Sequence, residues 1–167
     1  ELLKYAQTDA LTGLYNKETT EQLTDELLSE DENKYHAFLI LDVDCFKQIN
    51  DIYGHAVGDI VLQKFGKLLK GTFREGDILG RIGGDEFGVI MKNIQTKDIA
   101  MKKAEELLAK TQAYKIDELK GNNISISIGI STAPQDGDCY MDLYKRADQA
   151  LYQAKRSGKA RVCNYFS

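Results

Sequence analysis

Asp42-Val43-Asp44 closes the apolar run Ala37-Phe38-Leu39-Ile40-Leu41, and Asp85-Glu86 follows Gly83-Gly84 between two further apolar segments. A carboxylate at the mouth of a buried strand is costly unless something pairs with it. If the glycine turn packs beside the run, Asp42 and Asp85 converge, with no lysine next to them in sequence. Converging carboxylates repel, and a hard divalent cation relieves the repulsion: Mg²⁺ takes one or two carboxylates, a carbonyl and substrate phosphates. Two such ions can activate a hydroxyl and stabilise an in-line displacement at phosphorus. The plainer alternative makes Asp44 the cap of a short helix beginning at Cys45 and Asp85 a turn residue.

Gly83-Gly84 can let backbone N–H groups approach a phosphate closely, since no Cβ intervenes, although such a pair also serves a hairpin turn. Lys155 follows an apolar helical stripe, pointing off the core, and Lys159 lies just past Gly158. Both could reach phosphate oxygens. Taken singly, they are better explained as two solvated lysines favouring a helix C-terminus.

The elements that must position these groups follow from periodicity. Asn16 suits an N-cap for a first helix through Leu23, Leu27 and Leu28. The uninterrupted run 37–41 reads as a central strand buried on both faces. Val57, Ile60, Val61, Phe65, Leu68 and Leu69 have amphipathic helical spacing. Residues 78–82 and 87–91 flank the Gly-Gly-Asp-Glu turn as a hairpin. Ile99, Leu107 and Leu108 mark another helix. Ile124, Ile126, Ile128 and Ile130 alternate with serine and glycine, the pattern of a half-buried strand. Tyr140, Leu143, Tyr144, Ala147, Ala150, Leu151 and Ala154 trace a last helical face, stopped by Gly158 and followed by a strand around 161–165. Strands and helices intermix without strict alternation, so the expected class is α+β, a mostly antiparallel central sheet covered by helices.

The 167 residues suit one domain, and 43% hydrophobic with 29% charged residues is a globular mix. A net charge of −4 argues against a general nucleic-acid binder but not against a small phosphorylated ligand. Cys45, Cys139 and Cys163 form no C-x-x-C pair, and His36 and His55 stand in no zinc-like spacing. A reduced, cytoplasmic setting follows. No apolar run approaches a membrane span, so no membrane contact by this domain is expected. Residues 1–8 read as the tail of an upstream linker helix, and the expectation is that the chain is the cytosolic part of a longer sensor protein, whether or not that protein is membrane-bound.

Arg81-Ile-Gly83-Gly84-Asp85-Glu86-Phe87 contains the signature of the GGDEF-type diguanylate cyclases. Asp9-Ala-Leu-Thr-Gly-Leu-Tyr-Asn16, Asp42-Val-Asp-Cys-Phe-Lys-Gln-Ile-Asn50-Asp, Tyr53-Gly-His-Ala-Val-Gly-Asp59, Ser127-Ile-Gly-Ile and Ala147-Asp-Gln-Ala-Leu-Tyr-Gln-Ala-Lys155 resemble the family in its own order. The likeness runs from Asp9 to Val162, within a domain taken as 9–167. It implies a nucleotide cyclase or polymerase-palm architecture with a ferredoxin-like core. It also implies that two GTP are joined into cyclic di-GMP with release of pyrophosphate.

By that resemblance Asp42, Asp85 and the Val43 carbonyl hold two Mg²⁺ per site, with Mn²⁺ as an alternative. Glu86 is a further ligand or the base for the attacking 3′-hydroxyl. Asn50 and Asp59 read guanine, which suits an amide and a carboxylate; Asp59 favours GTP over ATP. Lys47, Lys155 and Lys159 neutralise the triphosphate, with backbone from Cys45, Phe46, Gly83 and Gly84. Each domain holds one GTP, so a homodimer is required. Arg74-Glu-Gly-Asp77 resembles the family's R-x-x-D product-inhibition site; a local surface ion pair is the alternative. Lys17 and Lys159 stand where the family often carries Arg, which keeps the charge and loses the fork. The competing readings are a non-catalytic GTP or cyclic di-GMP binding module, a structural dimerisation domain, and a sister cyclase making a mixed dinucleotide. Intact signature residues, the polar glycine turn and Asp59 speak against them in that order.

Overall fold

The computed structural model describes residues 6–30 and 32–165. Its elements run α1 (Lys17–Glu30), β1 (His36–Val43), α2 (Phe46–Tyr53), α3 (His55–Thr72), β2 (Ile78–Arg81), β3 (Glu86–Met91), α4 (Lys97–Ala113), a 3₁₀ turn (Asp117–Leu119), β4 (Ile126–Ala133), α5 (Tyr140–Arg156) and β5 (Val162–Asn164). Asn16 caps α1 as expected, its Oδ1 accepting the Thr19 N–H at 2.9 Å. Ala6 and Gln7 are helical, but Thr8, expected as the end of the linker helix, forms a β-bridge with Tyr15 instead; residues 1–5 of that expected helix lie outside the described residues.

The strands form one sheet in the order β2-β3-β1-β4-β5, antiparallel except for the parallel β4–β5 edge. The apolar run therefore occupies the centre, and all of β1 is buried. Its odd-numbered residues Leu39, Leu41 and Val43 join Phe65 and Leu69 of α3 and Ala104 and Leu107 of α4 in one core. Its even-numbered residues Phe38 and Ile40 meet Leu27 and Leu28 of α1 and Tyr140, Leu143, Ala147 and Leu151 of α5 in the other. The period-two alternation of a strand thus carries Asp42 onto the α5 face.

β4 departs from the half-buried reading, because both its faces are covered. Its polar positions are absorbed rather than solvated. Ser127 Oγ donates to Asp44 at 2.7 Å, and Ser131 Oγ donates to the Leu143 carbonyl at 2.8 Å. At Gly129 α5 comes so close that a Cβ would lie 2.2 Å from the Ala147 oxygen and 2.3 Å from the Leu151 nitrogen. That approach lays α5 across the sheet with Tyr144 and Lys155 directed at the end of β1.

Candidate active site

Register supplies the first part of the site. Asp42 pairs with Glu86 on one side and Ser127 on the other, so the end of the central strand and the start of β3 place two carboxylates side by side. Asp85 follows directly, its carbonyl accepting the Val43 N–H at 3.3 Å. The hairpin does pack beside the central strand, and Asp42 and Asp85 converge as the spacing suggested, with Val43 and Glu86 adjoining them.

Lys155 supplies the second part. The carboxylates lack a lysine neighbour in sequence, but α5 brings one from 113 residues away, and the Lys155 ammonium donates to Asp42 Oδ2. Lys155 therefore does not point free of the core; it is half-buried against the acidic cluster. Asp42 Oδ1 stays buried with no hydrogen-bond partner. An unsatisfied buried carboxylate oxygen is expensive, and one lysine does not neutralise three carboxylates. Hard oxygen donors in excess of cations, one of them orphaned, suit Mg²⁺.

The electrostatics agree. Burial pushes the Asp42 carboxyl up to about 6; the adjacent Asp85 adds to the rise and Lys155 opposes it. Glu86 is also raised, by burial first, with Asp42 and Asp148 adding, against a hydrogen bond from Tyr144 and the charge of Lys155. Burial works against the Lys155 ammonium, yet the bond to Asp42 and the charges of Asp42, Asp85 and Asp44 outweigh it and raise its pKa.

Asp44 is no helix cap. Buried itself, it accepts from Ser125 Oγ at 2.6 Å, Ser127 Oγ at 2.7 Å and the Ala160 N–H at 3.1 Å. It ties the turn carrying Lys159 to the end of β1. Lys159 and Ala160 have φ of 63° and 51°, and Cys45, at the N-terminus of α2, has φ 56°. Non-glycine residues are held in that region only where surroundings dictate it. The Lys159 ammonium donates to Cys45 Sγ at 3.2 Å, so both expected phosphate-binding segments adjoin.

Gly83 and Gly84 do not have positive φ. A Cβ on Gly84 would meet nothing within 4 Å, and one on Gly83 would approach only the Glu86 side chain. Neither backbone conformation nor internal packing asks for glycine at 84, which leaves an open approach to its backbone. Arg81 braces this turn, donating to the Gly84 carbonyl at 2.8 and 3.1 Å and pairing with Asp9 at 3.1 Å.

Asn50 and Asp59 come from consecutive helices broken at Gly54, whose φ of 93° a side chain would resist. Asn50 Oδ1 lies where a Cβ on Gly58 would be 1.9 Å away, so the amide is seated against α3 only because residue 58 is glycine. Phe46 is half-buried and packs at the same glycine, while Lys47 is exposed.

Arg74 and Asp77 lie at the opposite end of β2 from the glycine turn. Asp77 is buried and accepts the Arg74 N–H at 3.2 Å and the Lys92 N–H at 3.1 Å. Arg74 donates to Asp77 and to the Lys92 carbonyl, its side chain 61% exposed. The pair borders a groove of about 550 Å³ that also includes Tyr15 and Lys70. Among the described residues, the trio of ligand atoms that lie within 4.8 Å of one another is Asp138, Cys139 and Asp142, at the start of α5.

Sequence reading missed the seat at Gly58, the clamp of Asp44 and the bond from Tyr144 to Glu86. Only Gly58 and Asp44 carried a signal, as members of the matched strings.

Comparison with known proteins is consistent with this geometry. The family profile "Diguanylate cyclase, GGDEF domain" matches residues 6–161. Diguanylate cyclase A of Treponema denticola is 37% identical over 97% of this chain, which spans 45% of that protein's length. The GGDEF domain of TpbB (YfiN) from Pseudomonas aeruginosa superposes with a TM-score of 0.90 at 33% identity, covering 95% of this chain and 94% of that one. The GGDEF domain of DgcB from Caulobacter crescentus, in complex with c-di-GMP, superposes at 0.87 with 28% identity and 95% coverage of both chains. This chain belongs to the diguanylate cyclase GGDEF-domain family.

Proposed function

We propose that this chain, as residues 9–167 following a linker helix, condenses two GTP into cyclic di-GMP and two pyrophosphates. The observation that carries the reading is Asp42 facing Glu86 across one register step, beside Asp85, with a buried oxygen left unsatisfied.

Asp42, Asp85, Glu86 and the Val43 carbonyl would hold two Mg²⁺, or Mn²⁺, which supply charge to the α-phosphate and acidity to the 3′-hydroxyl. The chain's own residues do the positioning. Asn50 and Asp59 meet the guanine edges. Lys47 and Lys159, with backbone at Cys45, Phe46, Gly83 and Gly84, receive the triphosphate. Lys155 carries positive charge against Asp42 and is placed to share it with the phosphates. Catalysis is then orientation plus charge stabilisation of an in-line attack.

Each chain presents one such site on an open face; neither of two cavities of about 440 and 550 Å³ includes the acidic cluster. Two chains must face each other, each contributing one GTP. Activity per chain therefore rises with chain concentration in the micromolar range; a constant value would contradict the homodimer. The expected setting is cytoplasmic. No described helix is long and apolar enough to cross a membrane.

Gly58→Ala tests the guanine seat. A Cβ there would displace the Asn50 amide, so KM for GTP is expected to rise about tenfold or more, with kcat changed far less. An unchanged KM would remove Asn50 from substrate binding.

Arg74 and Asp77 are proposed as the site where cyclic di-GMP binds and restrains the dimer; the GGDEF domain of DgcB has been captured with c-di-GMP, and the exposed Arg74 fork is suited to such a ligand. Asp77, fixed by two N–H groups, holds the turn while Arg74 offers its fork to phosphate or guanine. Arg74→Ala should raise the product concentration for half inhibition at least tenfold and leave the initial rate within about twofold. An unaltered inhibition curve would reduce the pair to a local surface contact.

A further inference from the structure

Glu86 has a partner that the reaction scheme above does not use. The Tyr144 hydroxyl, from the middle of α5, donates to Glu86 Oε1 at 2.8 Å. Tyr144 is itself held in place. Its ring stacks on Tyr140, centroids 5.8 Å apart and planes 28° apart, and the fully buried Tyr140 meets Phe38 edge to face at 5.3 Å. Phe38 belongs to β1, the strand that ends in Asp42, so the hydroxyl is referenced to the element that carries the other carboxylate.

Glu86 needs such a reference. It is only half-buried, at the first position of β3 beside an open glycine turn. Two carboxylates, Asp42 and Asp148, repel it, and the Lys155 ammonium attracts it. Left alone, its side chain would be free to move among those charges, with neither carboxylate oxygen fixed. Resting on the functional reading above, we propose that Tyr144 is a positioning residue for Glu86: its hydroxyl holds Oε1 so that Oε2 is presented to the cluster formed with Asp42 and Asp85. This gives Glu86 one available oxygen, suited to a single metal contact or to one proton at a time. It also makes α5 the common support of both Glu86, through Tyr144, and Asp42, through Lys155.

The test uses Tyr144→Phe, which keeps the stacked ring, and Tyr144→Leu, which does not. Mn²⁺ is titrated calorimetrically into each chain with α,β-methylene GTP, alongside steady-state kinetics and thermal melts. Tyr144→Phe is expected to bind Mn²⁺ about fivefold more weakly and to lose about tenfold in kcat, with KM for GTP within twofold and Tm within about 2 °C. Tyr144→Leu should match it in metal affinity and melt lower. If Tyr144→Phe stays within twofold of the parent in both metal affinity and kcat, the proposal is overturned; ring packing would then be all that Tyr144 supplies. A parent that binds neither Mn²⁺ nor the nucleotide overturns the functional reading instead, and this proposal with it.

Discussion

Replacing Asp42 with asparagine is expected to lower cyclic di-GMP synthesis by about a thousandfold or more while stabilising the metal-free fold. The loss follows from removing the carboxylate nearest the strand end, whose unsatisfied oxygen is the best cation ligand in the site. The gain follows from linkage. The folded chain holds the Asp42 carboxyl at about 6 against 3.8 for an ordinary aspartate, burial being the largest cause. A carboxyl raised in this way costs the fold stability once it ionises. The cost is absent below about pH 4, grows through the window to about 6, and is fully present above it. Asparagine keeps the shape and never ionises. The rise at Asp42 is already net of the Lys155 attraction, so the variant should be the more stable chain at pH 7.5. Thermal melts in chelator should show the variant a few degrees above the parent at pH 7.5. At pH 4 the difference should vanish. A variant less stable than the parent at pH 7.5 would mean that Lys155 already compensates Asp42 fully.

Gly129→Ala should be the most disruptive change to the fold among the glycines of the sheet. The added Cβ would meet backbone atoms of Ala147 and Leu151 at 2.2 and 2.3 Å, and backbone in mid-helix cannot turn aside as a side chain can. Helix α5 must lift, separating Ala147, Leu151 and Tyr140 from Phe38 and Ile40. We expect a loss of about 3 kcal/mol or more, a fall in Tm of roughly 10 °C, and loss of activity with it. Urea unfolding measures it directly. A midpoint within error of the parent would show that α5 is not seated against β4 as described.

What could be read from the sequence depended on the range of the interaction. The central strand was legible because its run is apolar on both faces, and the hairpin because glycines interrupt two apolar segments. Asn16 announced α1 through a contact three residues long. β4 misled for the opposite reason. Ser125, Ser127 and Gly129 look like a solvated face, but their partners lie elsewhere: Asp44 is 81 and 83 residues from Ser125 and Ser127, and the α5 backbone covers Gly129. The site showed the same division. Asp42, Asp85 and Glu86 were found by type and spacing and then placed by resemblance. The ammonium that balances Asp42 arrives from 113 residues away, and the hydroxyl on Glu86 from 58. Tyr144 was read as one member of an apolar helical stripe, which it is; nothing in periodicity shows that its far end reaches a carboxylate.

The most direct test of the account is to incubate the purified chain at high concentration with GTP and Mg²⁺, separate the products by chromatography, and identify them by mass, with Asp42→Asn alongside. The account predicts cyclic di-GMP and pyrophosphate from the parent and none from the variant. GTP bound tightly but left intact at every chain concentration, or product formed equally by Asp42→Asn, would contradict it.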